Sequence, residues 1–152
     1  MHVCIKRIEY FFPEKKESNT DLKADNPDWR IDDIVKKTGI VSRRISSNEQ
    51  TATDLAEESC KKLINSGLNT EDIDFIILVT QSPDYALPTS ACILQDRLGV
   101  ESCIAFDINL GCSGFVYGLA VSSSLISSGL AKQGILVCSD TYTKYIDKHD
   151  RT

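Results

Sequence analysis

The sequence predicts an α/β fold in which helices flank a mixed, mostly parallel sheet. Three observations carry this. Amphipathic, helix-like stretches alternate with strand-like apolar runs, several of these runs are continuous rather than alternating, and the connections between them are short. A continuous run marks a strand covered on both faces, and parallel neighbours need a crossover helix, so the pattern reads as right-handed βαβ units.

The elements follow in order. VCIKRIEYFF (residues 3–12) is β-rich with partial alternation and is expected to be a first strand. Pro13 to Pro27 is polar and turn-prone, a surface loop. NPDWRIDDIVKKTGI offers Asn26 as N-cap, Pro27 at the first helical position, acids early, lysines late and Gly39 as a stop, which makes a short helix. TATDLAEESCKKLINSGL is a second helix, with Thr53 and Glu57 near a capping arrangement. Leu55, Ala56, Cys60, Leu63 and Ile64 form its apolar face, and Gly67 ends it. IDFIILVTQ (73–81) is a doubly covered strand, and LPTSACILQDRLG a third helix running from Pro88 to Gly99. CIAFDIN (103–109) is another buried strand, residues 112–128 a fourth helix, and GILVCSD (134–140) a further strand.

A chain of 152 residues is one domain by size and can bury its own core. Its 41% hydrophobic and 26% charged residues are ordinary for a globular protein. A net charge of -5 argues against a nucleic-acid binder. The basic cluster of Lys36, Lys37, Arg43 and Arg44 suits an anionic small molecule or an acidic partner protein instead. No apolar run approaches a membrane span, and the start lacks the apolar core of a signal peptide. Six cysteines with no C-x-x-C pair, beside two histidines, suggest neither a zinc site nor a disulfide framework. That composition fits a reducing cytoplasm, with five thiols buried as small hydrophobes and one that reacts. The chain stops at HDRT just after a buried strand, which reads as a fragment of a longer protein.

The chemistry concentrates in AFDINLGCSGFVYGLAVSSSLISSG (105–129), where a strand hands over to a helix at a cysteine. At such a turn the unpaired N–H groups and the helix dipole favour a negative charge, so Cys112 is a candidate thiolate nucleophile. The same N–H groups could hold the oxyanion formed when a thioester carbonyl is attacked. Gly111 and Gly114 remove bulk around the sulfur, and Ser113 helps satisfy the helix start. From the residues alone, a small buried cysteine beside a helix start is an equal alternative. GCSGFVYG is not G-x-S-x-G, G-x-G-x-x-G or a P-loop, so hydrolase, dinucleotide and nucleotide readings fail.

KTGIVSRRI (37–45), DFIILVTQSPDYALPTSACILQDRLGV (74–100), AFDINLGCSGFVYGL (105–119) and the terminal DRT resemble the N-terminal half of β-ketoacyl-acyl-carrier-protein synthase III and its thiolase-superfamily relatives. The resemblance implies a thiolase-like three-layer α/β/α architecture, residues 1–152 being its N-terminal half. It implies a decarboxylative Claisen condensation in fatty acid biosynthesis: Cys112 takes an acyl group from an acyl-coenzyme A thioester, and malonyl-acyl carrier protein then condenses with it. Substrates are thioesters of coenzyme A and of carrier-protein phosphopantetheine, with no metal and no other cofactor. In the family a His and an Asn from the second half complete the site. His2 and His149 fit neither role, so the fragment alone is expected not to condense. Relatives place an Arg before TGI and a Trp four residues earlier against the nucleotide. Lys37 and Asp33 occupy those positions here, with Trp29 nearby but out of register. Arg151 matches a second adenine-stacking position, and Leu87 a position that crosses a dimer interface to line the partner's acyl tunnel. A homodimer through CIAFDIN is implied, together with acyl carrier protein as partner and a cytoplasmic location. Two other outcomes stay open: a thiolase-fold acyltransferase or polyketide- or quinolone-type condensing enzyme, and a non-catalytic half-domain that only binds or dimerises.

Overall fold

A computed structural model of the chain describes residues 3–147 and His149. The chain divides into two compact units, Met1–Phe11 with Thr51–Asp140, and Phe12–Gln50 with Thr141–Thr152.

The larger unit is built on three parallel strands, β3 (Phe75–Val79), β4 (Ile104–Ile108) and β5 (Gly134–Cys138), in the order β4-β3-β5. β3 lies in the middle, paired from Phe75 opposite Ile104 and Gly134 to Val79 opposite Ile108 and Cys138. It is buried along its whole length, which is why its sequence is an unbroken apolar run. The period of two sorts its side chains between two cores. Ile76 and Leu78, with Ile135 and Val137 of β5, pack under helices α3 (Ala52–Asn65) and α4 (Ser90–Arg97). Phe75 and Ile77, with Phe106, Ile108 and Leu136, face Val121, Leu125 and Ile126 of α5 (Gly114–Ser127) on the other side. Helices thus cover both faces, and the three-layer α/β/α expectation holds in this unit.

The helix ends follow from local chemistry. Thr51 and Asp54 form a reciprocal capping box on α3, three residues apart, rather than the Thr53–Glu57 pair expected from sequence. Leu55, Ala56 and Cys60 are buried on the apolar face as anticipated. Gly67 and Gly99 take positive φ of 103° and 68° just after α3 and α4, a conformation that favours glycine.

Several expectations are corrected here. Residues 3–12 do not form a strand. They carry no assigned secondary structure; Ile5, Ile8 and Tyr10 are exposed, and Lys62 of α3 donates to the Tyr10 carbonyl at 2.7 Å. Their β-propensity is real, but among the described residues no ladder includes them, and a strand exists only with a neighbour. β4 is an edge strand, half-buried with Ile104 exposed, and not buried like β3. Of the six thiols only Cys60 is buried; Cys103 is half-buried, and Cys4, Cys92, Cys112 and Cys138 are exposed. Burial pushes the Cys60 thiol up to about 12.

The smaller unit contains β1 (Lys15–Ser18), α1 (Asn19–Asp25), α2 (Ile31–Thr38) and β2 (Ser42–Ile45), with β1 antiparallel to β2. The Pro13–Pro27 stretch is therefore not a loop. Its missed signal is S-x-x-D: Ser18 and Asp21 form a capping box at the start of α1. Asn26 and Pro27 do not open α2, which starts at Ile31 behind Arg30 with no side-chain cap. Asn26 instead closes α1, its backbone N–H donating to Leu22 O at 3.0 Å. Gly39 ends α2 at φ 72°, as expected. Among the described residues no helix is long and apolar enough to cross a membrane.

Candidate active site

The C-terminal ends of parallel strands are where such sheets place reactive groups, because the chain turns there into helix N-termini. β4 ends at Ile108, Gly111–Ser113 make one 3-10 turn, and α5 begins at Gly114. Cys112 is the middle residue of that turn and is exposed in this chain. Gly111 has φ 53°, so the turn needs a residue that tolerates the left-handed region.

The turn's own backbone bonds redefine its glycines and serine. The Ser113 N–H donates to Leu110 O at 3.3 Å, and the Gly114 N–H to Gly111 O. These two amides are therefore engaged in the turn and are not free to receive an oxyanion. The Cys112 N–H makes no hydrogen bond among the described residues. The Ser113 hydroxyl does not cap α5 as anticipated; it donates back to Leu110 O at 3.0 Å. Gly114 does not clear space around the sulfur either. It presses α5 onto the sheet, since a Cβ there would lie 2.3 Å from Val79 Cγ1. Gly118, one turn on, meets Leu136 in the same way at 2.5 Å, and Ser122 continues the buried stripe. Gly114, Gly118 and Ser122 thus form the buried side of α5. The opposite side of α5 carries Phe115, Val116 and Tyr117, all exposed.

Two carboxylates that sequence reasoning left unassigned brace this end of the sheet. Asp107 of β4 accepts the Ser90 and Ala91 amides at 2.8 and 2.7 Å, supplying the N-terminus of α4 with an anion. Asp140, just past β5, accepts from Thr80 Oγ1, the Gln81 amide and Ser82 Oγ at 3.1, 2.7 and 3.0 Å. A charged residue inside or abutting an apolar run was the available signal for both. Gln81 also reaches the turn: a Cβ on Gly111 would sit 3.1–3.2 Å from its carboxamide atoms.

The remaining predicted residues are placed as follows. Leu87 is 82% exposed on the loop that precedes α4. Lys37 is exposed near the end of α2. Trp29 and Asp33, which sequence register separates, line one shallow cavity of about 480 Å³ with Lys23, Arg30 and Lys36; Lys37 is not among its walls. Lys23 holds that wall by donating to the Pro27 carbonyl and, at 2.7 Å, to the Trp29 carbonyl. Arg43 is engaged by Asn19 and Glu17, and Arg44 by the Pro13 and Glu14 carbonyls, so these arginines serve the small unit itself. His149 Nδ1 lies 3.1 Å from Asn26 Oδ1. Arg151 and His2 lie outside the described residues. No group of three or more metal-ligating side chains occurs among the described residues.

The chain is similar to several known proteins. A family model described as 3-oxoacyl-[acyl-carrier-protein (ACP)] synthase III matches residues 106–152, starting inside β4 and including Cys112. A β-ketoacyl-[acyl-carrier-protein] synthase III of Fusobacterium nucleatum is 38% identical over 153 residues, covering 98% of this chain and 45% of that protein. Its counterpart in Clostridium perfringens is 48% identical over 119 residues, covering 78% of this chain and 36% of that protein. A crystal structure of a 3-oxoacyl-(acyl-carrier-protein) synthase III superposes with a TM-score of 0.88 at 46% identity, over 97% of this chain and 45% of that one. One from Burkholderia xenovorans gives 0.86 at 37% identity, over 95% and 43%. The chain spans less than half the length of these relatives. Over nearly its whole length the chain is similar in sequence and in its α/β fold to β-ketoacyl-[acyl-carrier-protein] synthase III proteins, and the family model matches the segment that holds Cys112.

Proposed function

We propose that the full-length protein is a decarboxylative condensing enzyme of fatty acid biosynthesis that joins an acyl-coenzyme A to malonyl-acyl carrier protein through an acyl-Cys112 intermediate. The observation that carries this is the exposed Cys112, presented by a glycine-dependent turn between a parallel strand and a helix, in a chain similar to these proteins. The Cys112 sulfur attacks the thioester carbonyl, the coenzyme A thiol leaves with the proton, and the acyl group is held as a new thioester. The Cys112 N–H, which has no backbone acceptor among the described residues, is the donor assigned here to the oxyanion. Malonyl carrier protein then loses carbon dioxide, its carbanion attacks the acyl carbon, and the Cys112 thiolate is released. The family resemblance implies a His and an Asn that hold the enolate oxygen, and this reading assigns neither role to a residue of the chain.

Other parts of the reading rest on other residues. Trp29 offers an aromatic face, and Lys23, Arg30 and Lys36 positive charge, to the nucleotide of coenzyme A around their shared cavity, with Asp33 opposing. The exposed edge of β4 supports a homodimer, with Leu87 reaching the partner's acyl channel. The partners are acyl carrier protein and coenzyme A thioesters, no cofactor is required, and the location is the cytoplasm.

The test is to incubate the full-length protein with a panel of acyl-coenzyme A thioesters, measure its intact mass, and locate the adduct by peptide mapping. One acyl increment on Cys112, lost in Cys112→Ser, is expected. An increment on another exposed thiol, or none with any thioester, would refute the assignment.

A further inference from the structure

Gln81 follows β3 directly and carries no role in the chemistry described above. Its backbone is fixed: its N–H donates to Asp140 Oδ1 at 2.7 Å, and the same oxygen receives the hydroxyls of the residues on either side. The Thr80 N–H continues the sheet to Ile108 O at 3.1 Å, tying this loop to the end of β4. With its stem so held, the exposed carboxamide lies against Gly111. An added Cβ on that glycine would meet Gln81 Oε1, Cδ and Nε2 at 3.1, 3.2 and 3.2 Å, closer than ordinary side-chain packing. Gly111 is the residue before Cys112 and the one with positive φ. A long neutral side chain is therefore anchored at its backbone by a carboxylate on one strand end and occupies, at another, the space beside the turn where a Gly111 side chain would stand.

We propose that Gln81, set in place by Asp140, is a positioning residue that props the Gly111 turn and so fixes where the Cys112 thiol is presented. The inference deepens the acyl-transfer reading and rests on it for its significance. Its mechanism is simple. The Gly111–Ser113 turn is a single turn with two backbone bonds, and glycine leaves it free to relax; a side chain packed on its outer side removes that freedom. The amide is also neutral, so it braces the turn without opposing a thiolate, whereas a carboxylate in the same place would oppose one.

The experiment uses the full-length protein and reads the rate of iodoacetamide labelling of Cys112 as a function of pH, by peptide mass spectrometry. Gln81→Ala should slow labelling about threefold to tenfold at saturating pH, and Gln81→Met, which restores length without charge, should recover most of it. Gln81→Glu should move the midpoint of the labelling profile upward by about half a unit, through Coulomb repulsion across solvent-screened contact. Gln133→Glu places the same charge at the opposite end of the sheet and should leave the midpoint unchanged. Unaltered labelling in Gln81→Ala would overturn the proposal, and so would equal midpoint shifts for the Gln81 and Gln133 variants. Because labelling needs no acyl donor, a failure of acyl transfer would leave this result standing. With acyl-coenzyme A, the Gln81→Ala loss should fall on kcat for acylation and spare KM.

Discussion

Substitution of Gly114 by alanine tests whether α5 is positioned by glycine contact with the sheet. The new Cβ would stand 2.3 Å from Val79 Cγ1, short of ordinary contact by about 1 Å. Val79 cannot yield readily: it is β-branched, buried at 5% exposure, and paired on both sides within the central strand. Either α5 lifts or Val79 leaves its rotamer, and overpacking of this kind costs about 1–3 kcal/mol. Alanine returns at most about 1 kcal/mol of helix propensity, so the net loss should be about 1–2 kcal/mol. Gly118→Ala is the internal comparison. Its Cβ meets Leu136 Cδ1 at 2.5 Å, but that is the end of a half-buried, more flexible side chain, so propensity gain and clash should nearly cancel. Urea denaturation followed by far-UV circular dichroism measures both, with the slope expected to stay constant. Combining Gly114→Ala with Val79→Ala should cost less than the sum of the single changes, because the smaller residue admits the Cβ. A Gly114→Ala protein as stable as the parent, or an additive double variant, would refute the packing argument.

Three further outcomes follow from the same contacts. Asp107→Ala should destabilise the protein by about 1–2 kcal/mol, since two amides at the start of α4 lose their acceptor, and Asp107→Asn should cost less; urea midpoints decide this. In acid, Asp54 and Asp74 should matter together. Burial is the largest influence on Asp54 and pushes its carboxyl up, but the Thr51 amide and the Arg97 guanidinium outweigh it and hold it below the ordinary range. The Lys132 and Gln133 amides lower Asp74. A depressed folded-state value means stability that is fully present above about pH 4 and is lost as pH falls through the folded values, so Asp54→Asn should flatten the acid limb of a denaturation series and leave its neutral region level. In thiol labelling at pH 8, Cys60, raised to about 12 by burial, should stay unmodified in the native protein and react only on denaturation, while exposed Cys92 labels; early labelling of Cys60 would contradict its burial.

What the sequence alone determined is what depends on neighbours along the chain. Period and polarity marked α3, α4, β3 and β5, because a run such as FIILV can satisfy itself only between two layers. The glycines at positions 39, 67 and 99 marked helix ends, since the left-handed conformation is a local property. Cys112 at a strand-to-helix turn was legible for the same reason. Local signals misled where the deciding partner is distant. Residues 3–12 have strand chemistry but join no ladder among the described residues, and Ser18 with Asp21 was overlooked inside a stretch that looked only polar. The tertiary structure alone decided that Gly114 and Gly118 are spacers against Val79 and Leu136, and that Asp107 and Asp140 brace helix and loop amides brought together from other strands. It also placed the Gln81 carboxamide on the glycine that precedes the thiol. A side chain's identity is written in the chain, but its role depends on which atoms arrive from thirty residues away, and that is set only when the sheet is assembled.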